Sequence, residues 1–187
     1  WFLGNVPDDL LVVIDEAYFE YVEEPEYPDS LSYQDTGKSI LTVRTFSKIY
    51  GLAGLRIGYG VAGEGMISAM QRARHPFNTS SVAQEAAMAA LDDHGHVDKS
   101  RKINREGLAY LKDELGKLGI SYTPTYTNFI LIDLKKDPMP LYNALLREGV
   151  IVRPVGGYGL MTHLRVTIGL PGENERFVRA MKKVMNL

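Results

Sequence analysis

A chain of 187 residues, 45% hydrophobic and 24% charged, has a globular composition with material for one large domain or one and a half smaller ones. A net charge of −2 with no basic block gives nucleic acid and anionic membrane surfaces no footprint, and the absence of cysteine excludes disulfides and thiolate metal sites. No apolar run reaches membrane-spanning length and no signal peptide is visible, so the expectation is a cytoplasmic protein with neither nucleic acid nor membrane as partner. The first residues are Trp1-Phe2-Leu3 rather than Met, and an incomplete chain is expected.

In chain order, Leu10–Ile14 is a continuous apolar run that suits a strand buried in a parallel sheet, and it stops at Asp15-Glu16. Acids at the carboxyl end of such a strand sit where open α/β sheets bind ligands. The acidic, aromatic stretch Glu20–Gly37 reads as a mostly exposed loop with a helical turn. Ser39–Val43 is the next strand, and Leu55–Ala62 another, antiparallel or at a switch point because the return between them is short. Glu64–Arg74 has helical spacing and ends at His75-Pro76. Ser81-Val82-Ala83-Gln84 reads as a capping box that opens a helix to about Leu91. A long helix is predicted from near Val97, with Leu108, Leu111, Leu115 and Leu118 on one face and Gly119 just past its end.

Beyond it the pattern is a smaller α/β unit. Strands are predicted over Asn128–Leu134, Val150–Arg153 and His163–Ile168, and helices over Pro138–Glu148 and from Pro171 onward. In His163–Ile168, Leu164, Val166 and Ile168 share one face while Arg165 and Thr167 share the other. The expected division is a partial larger domain over 1–96 and a small C-terminal domain over 97–187 with a bridging helix.

The chemistry concentrates in Thr45–Gly58, TFSKIYGLAGLRIG. A lysine in a turn is most often a solvated surface residue. Here Thr45 and Ser47 put two hydroxyls beside Lys48, Arg56 follows with a fork of donors, and Gly51, Gly54 and Gly58 permit close backbone approach. Such a set can hold a phosphate next to a cationic amine. A nucleotide P-loop is excluded by order, because its glycines precede the lysine. Asp15 admits a bland reading, a helix cap or a salt bridge to Arg44 or Arg56, and a sharper one. A carboxylate facing a pyridine nitrogen keeps that nitrogen protonated and makes the ring an electron sink. Lysine, phosphate cradle and acid are together the parts of a pyridoxal-phosphate site.

Asp15-Glu16-Ala17-Tyr18, followed by T-F-S-K-x-Y-G-L-A-G-x-R-x-G at Thr45–Gly58, resembles the fold-type I aminotransferases of the class I/II group. The run Arg44–Tyr59, Pro76-Phe77-Asn78, Val152-Arg153-Pro154 and Leu164–Gly169 are similar to the histidinol-phosphate aminotransferase branch. The resemblance implies an α/β fold, the C-terminal part of the family's large cofactor-binding domain followed by a small α/β domain. It implies that Lys48 carries the aldehyde of pyridoxal 5'-phosphate and later serves as base for a 1,3-proton shift. It gives Asp15 the pyridinium nitrogen, Tyr18 the ring's phenolic oxygen, and Thr45, Ser47 and Arg56 the cofactor phosphate. Arg165, assisted by Arg153, takes the anionic groups of histidinol phosphate and of glutamate or 2-oxoglutarate, with Asn78 a further substrate-side candidate. It also implies a homodimer.

Alternatives stay open for several of these. Tyr18 can be a packed aromatic, Arg165 a salt-bridge partner and Asn78 a helix-entry residue. His94-Gly95-His96 reads as an exposed turn, His75 as structural and His163 as a weak candidate near Arg165, so no metal site is expected. The family's ring-stacking aromatic and its N-P-x-N-P-T-G motif do not occur in this sequence, so this chain alone is expected to have little or no transaminase activity. Within the fold, an aromatic-amino-acid transaminase or a phospho-amino-acid decarboxylase is the second reading. A cofactor-sensing regulatory domain is the remote one.

Overall fold

In a computed structural model, which describes residues Trp1–Met185, the chain is α/β and divides into two units, Trp1–Asp98 and the remainder from Lys99. Asn186 and Leu187, the end of the expected second domain, lie outside the described residues.

The first unit begins with a single turn of helix, α1 (Phe2–Asn5). Strand β1 (Leu11–Asp15) pairs in parallel with β2 (Ser39–Thr45), and β3 (Gly58–Ala62) returns antiparallel to β2. The order is β1-β2-β3, with Asp15 opposite Val43 and Thr45 opposite Gly58. One face supplies the core through Val12, Ile40 and Thr42, while Leu11 and Val13 on the other face of β1 are exposed. The continuous apolar run of β1 thus meets packing on one face only among the described residues.

The connection from β1 to β2 is tied down by polar contacts. It carries two short 3-10 turns, Phe19–Tyr21 and Ser30–Tyr33. The buried Ser30 hydroxyl meets the Thr42 hydroxyl at 2.8 Å, and the Gln34 amide donates to the same Thr42 oxygen at 3.2 Å and to the Val61 carbonyl at 3.3 Å. Buried hydroxyls are tolerated because each is satisfied in this way.

Helices α2 (Glu64–Ala73) and α3 (Ser81–Asp92) follow. The capping box expected from Ser81 is not formed. Ser80 is the cap, its hydroxyl accepting from Ala83 N at 3.1 Å, and Gln84 reaches the Thr79 carbonyl instead. Helix α4 (His94–Lys117) starts earlier than the expected Val97. The reason is Asp93, whose carboxylate accepts from His96 N at 2.9 Å and caps the first turn.

The second unit is a four-stranded antiparallel sheet of order β4-β5-β7-β6, from β4 (Ser121–Thr123), β5 (Phe129–Asp133), β6 (Arg153–Pro154) and β7 (His163–Thr167). Helices α5 (Met139–Arg147) and α6 (Pro171–Val184) complete it together with the part of α4 beyond Lys99. Period-two alternation sends Ile130, Ile132, Leu164 and Val166 into a core closed by Leu111, Leu115, Leu145, Phe177 and Met181. Gly119 and Gly149 both take positive φ just past a helix end. There Ile120 N returns to the Leu115 carbonyl and Val150 N to the Leu145 carbonyl, both at 2.9 Å. The short β4 has no apolar alternation and was not expected, and the predicted strand over Val150–Arg153 shrinks to Arg153–Pro154 because Gly149 and Val150 belong to the cap of α5.

Candidate functional site

Where β1 and β2 end and β3 begins, an open cleft of about 490 Å³ is bordered by Asp15, Thr45, Ser47, Arg56 and Gly58. Four expected cofactor residues thus line one cleft, Asp15 and Thr45 as the last residues of their strands and Ser47 and Arg56 from the loop between β2 and β3, while Lys48 and Tyr18 are not among its lining residues. Asp15 is the last residue of β1, and its exposed carboxylate accepts from Ala17 N at 3.0 Å through Oδ1. It pairs with neither Arg44 nor Arg56, the salt bridges weighed from sequence. Thr45 ends β2, and its hydroxyl accepts from Ser47 N at 3.1 Å, fixing the turn that aims Ser47 outward. The loop then closes on itself. Phe46 N donates to Ile57 O at 3.2 Å, Leu52 N to Phe46 O at 2.9 Å, and Gly51, at φ +71°, donates to Lys48 O at 3.0 Å.

The pattern F-S-K-I explains the loop's orientation. Phe46 and Ile49 are 4% and 2% exposed and anchor it, so Ser47 and Lys48 between them are held outward. The Lys48 amine lies 5.1 Å from the centroid of the Tyr18 ring. Arg56 adopts the left-handed conformation, φ 54°, and its Nη1 donates to Ala53 O at 2.9 Å. At Gly58 a Cβ would stand 2.7 Å from the Arg44 carbonyl oxygen, so only glycine allows β2 and β3 to close the cleft floor. Deeper in, burial pushes the Tyr50 phenol up to about 12, with the nearby Glu20 carboxylate adding to it. Burial likewise raises Glu20.

Two contacts at this loop escaped the sequence reading. Glu16 is 3% exposed and takes Arg44 as its partner. The period-two rule places it opposite Asp15 across the strand, which is the signal that could have found it. His96 lies in the first turn of α4 rather than in a free turn, and its Nε2 sits 2.9 Å from the Ile49 carbonyl oxygen. Nothing local in the sequence points to that pair. Asn78 lies between α2 and α3, away from the cleft-lining set, with its Oδ1 accepting from Arg74 Nη1 at 2.8 Å.

In the second unit, Arg165 on β7 faces Arg153 on β6 directly across the ladder. Like charges in that position repel unless an anion joins them. The Arg165 guanidinium lies 5.1 Å from the Phe129 ring centroid, and its Nε is buried without a hydrogen-bond partner. A buried donor left open in this way costs free energy until an acceptor, water or ligand, meets it. His163 is occupied elsewhere, with Nδ1 3.1 Å from the Thr162 hydroxyl and Nε2 3.8 Å from Asp133. No cluster of metal-ligating side chains occurs among the described residues.

The sequence profile of the family described as aminotransferase class I and II matches residues 5–181. The chain belongs to the class I and II aminotransferases. Among its relatives, histidinol-phosphate aminotransferase 2 of Pseudomonas aeruginosa is 53% identical over 184 residues, covering 98% of this chain and 50% of that protein. The Moorella thermoacetica histidinol-phosphate aminotransferase is 49% identical over 185 residues, covering 98% and 48%. The crystal structure of the Sinorhizobium meliloti histidinol-phosphate aminotransferase, in complex with pyridoxal-5'-phosphate, superposes with a TM-score of 0.90 at 28% identity, covering 99% of this chain and 51% of that one. The chain thus spans about half the length of the aminotransferases it matches. No helix among the described residues is long and apolar enough to cross a membrane.

Proposed function

We propose that this chain is part of a pyridoxal-phosphate-dependent histidinol-phosphate aminotransferase, which moves an amino group between L-histidinol phosphate and 2-oxoglutarate. The observation that carries the reading is the cleft itself. In a member of the aminotransferase family, a carboxylate, two hydroxyls and a guanidinium border one opening at the carboxyl ends of parallel strands. The donor set fits the group, since hydroxyls and guanidinium suit a phosphate and the carboxylate suits a protonated ring nitrogen.

When bound, pyridoxal phosphate supplies an aldehyde that condenses with amines and a ring that accepts the electron pair released at the substrate's Cα. Lys48 would be the covalent attachment point and the base that takes the substrate's Cα proton and delivers it to the former aldehyde carbon, the 1,3 shift that transamination requires. Asp15 would keep the ring nitrogen protonated, and Tyr18 would donate to the phenolic oxygen. Ser47 and Arg56 grip the phosphate, with Arg56 pre-aligned by its bond to Ala53 O. Thr45 belongs to the same cradle and orients Ser47 through the Ser47 N bond. Arg165, with Arg153 opposite, takes the substrate's carboxylate or phosphate, and Asn78 is an accessory on the substrate side. The reading includes a homodimer in the cytoplasm, as the family resemblance implies.

A second reading is favoured by one comparison. The L-threonine-O-3-phosphate decarboxylase structure from Porphyromonas gingivalis matches with a TM-score of 0.80 at 26% identity, covering 94% of this chain and 55% of that one. An arginine pair that grips a phosphate suits both reactions. The test is the full-length protein incubated with histidinol phosphate and 2-oxoglutarate, scored for glutamate. Glutamate formation supports the proposal, and carbon dioxide release from a phospho-amino acid without glutamate overturns it. Lys48→Ala should abolish the cofactor adduct fixed by borohydride and read by intact mass. An adduct that persists removes Lys48 from its role.

A further inference from the structure

Beside the cleft, whose lining includes Arg44 itself, lies an ion pair with the buried Glu16 that the proposed chemistry does not use. The Glu16 carboxylate is fully engaged. Oε1 accepts from Ser30 N at 3.1 Å, and Oε2 accepts from Arg44 Nε at 2.8 Å and lies 2.7 Å from Nη2. Arg44 also pairs with Asp29 at 2.8 Å, and its guanidinium stacks 3.9 Å from the centroid of Phe19. The backbone of Glu16 makes the bond that ends the β1–β2 ladder, Glu16 N to Val43 O at 2.9 Å.

This position governs its neighbour. Asp15 stands at a strand end that would fray if the next residue were loose, because the chain turns at once into the Ala17 bond that orients the Asp15 carboxylate. Glu16 is fixed by both backbone and side chain, and Arg44 is the residue before Thr45. One ion pair therefore fixes the residues next to both the acid and the hydroxyl of the cleft. A buried carboxylate with both oxygens occupied, Oε1 by Ser30 N and Oε2 by Arg44, is held in one geometry, whereas a surface pair is not.

We infer that Glu16 and Arg44 are positioning residues that hold the Asp15 carboxylate where it would meet the ring nitrogen of the proposed cofactor. The inference rests on the proposed reading of Asp15 and adds the device that aims it.

The experiment measures equilibrium binding of two ligands to the full-length apoprotein, pyridoxal phosphate and its 1-deaza analogue, which lacks the ring nitrogen. Glu16→Gln keeps an acceptor for Ser30 N but turns an amide toward Arg44. It should weaken pyridoxal phosphate binding on the order of tenfold, as loss of outer partners does around metal ligands, and weaken the analogue less than threefold. Arg44→Lys, which keeps the charge and loses the fork, should show the same asymmetry with a smaller loss and serves if Glu16→Gln folds poorly. Equal losses for both ligands, or none for either, overturn the inference, because a merely structural pair would not discriminate the nitrogen. Asp15→Asn in the same assay separates the two layers. If it shows no asymmetry, the reading of Asp15 fails and takes the inference with it. If it does and the Glu16 variant does not, only the inference fails.

Discussion

One substitution, made twice on the same helix, tests whether the packing of the second unit has been read correctly. Gly107 and Gly116 both lie within α4. Replacing either by alanine favours the helix by up to about 1 kcal/mol. At Gly116 a Cβ would meet nothing within 4 Å, so the propensity term stands alone. At Gly107 the added carbon would stand 2.6 Å from Ile168 Cγ2 and 2.7 Å from Asn174 Nδ2. Neither neighbour can yield cheaply. Ile168 is in the core, and the buried Asn174 brackets Gly169 with two bonds of 2.9 Å, one from Nδ2 to the carbonyl and one from Gly169 N to Oδ1. Overpacking costs about 1–3 kcal/mol, and a displaced bracket adds about 1 kcal/mol for each bond weakened. Steric cost exceeds propensity, so Gly107→Ala should destabilise by about 1–3 kcal/mol while Gly116→Ala stabilises by about 0.5–1 kcal/mol. Urea unfolding followed by far-ultraviolet circular dichroism reads both, and the first should lower the midpoint by about 1 M. A Gly107→Ala protein as stable as its Gly116→Ala counterpart would refute the packing of α4 against the Ile168–Asn174 corner.

Other expectations follow from the same contacts. Ser80→Ala should cost about 1 kcal/mol in thermal or urea unfolding, because it removes the hydroxyl that caps α3, while Ser81→Ala should stay within about 0.5 kcal/mol. Lys117 and Lys182 hold the Glu114 carboxyl below its ordinary value. A depressed acid contributes stability that is present above its unfolded value and is lost as the pH falls through the lower folded value. Glu114→Gln should therefore flatten the acid side of a stability–pH profile below about pH 4 and, because the same contact helps to raise Lys117, also soften the loss of stability above about pH 10. An unchanged acid limb would show that the two lysine contacts do not persist in solution. On the proposed reading, Arg165→Lys in the full-length protein should lower kcat/KM for histidinol phosphate about tenfold or more, since a point charge replaces a fork. A loss under threefold would remove Arg165 from substrate binding.

The sequence by itself determined the parts whose physics is local. Period-two alternation located β5 and β7, the leucine spacing located the buried face of α4, and Gly119 and Gly149 marked helix ends because a positive φ favours glycine. Thr45–Gly58 could be read as a candidate phosphate-and-amine site because hydroxyls, lysine and arginine stand within one short stretch, whose loop is anchored by its own Phe46 and Ile49. The start of α4 and the cap of α3 were misplaced by a few residues, because Asp93 or Ser81 each could serve as a cap and only backbone geometry selects one. What only the tertiary structure decided depends on residues far apart in the chain. The register of β1 on β2 set Asp15 beside the end that bears Thr45 and gave Arg44 to Glu16 rather than to Asp15. The pairing of β6 with β7 set Arg153 against Arg165, and α4 brought His96 to the Ile49 carbonyl. No local preference encodes such meetings, because each is fixed by which strand or helix the core places alongside another.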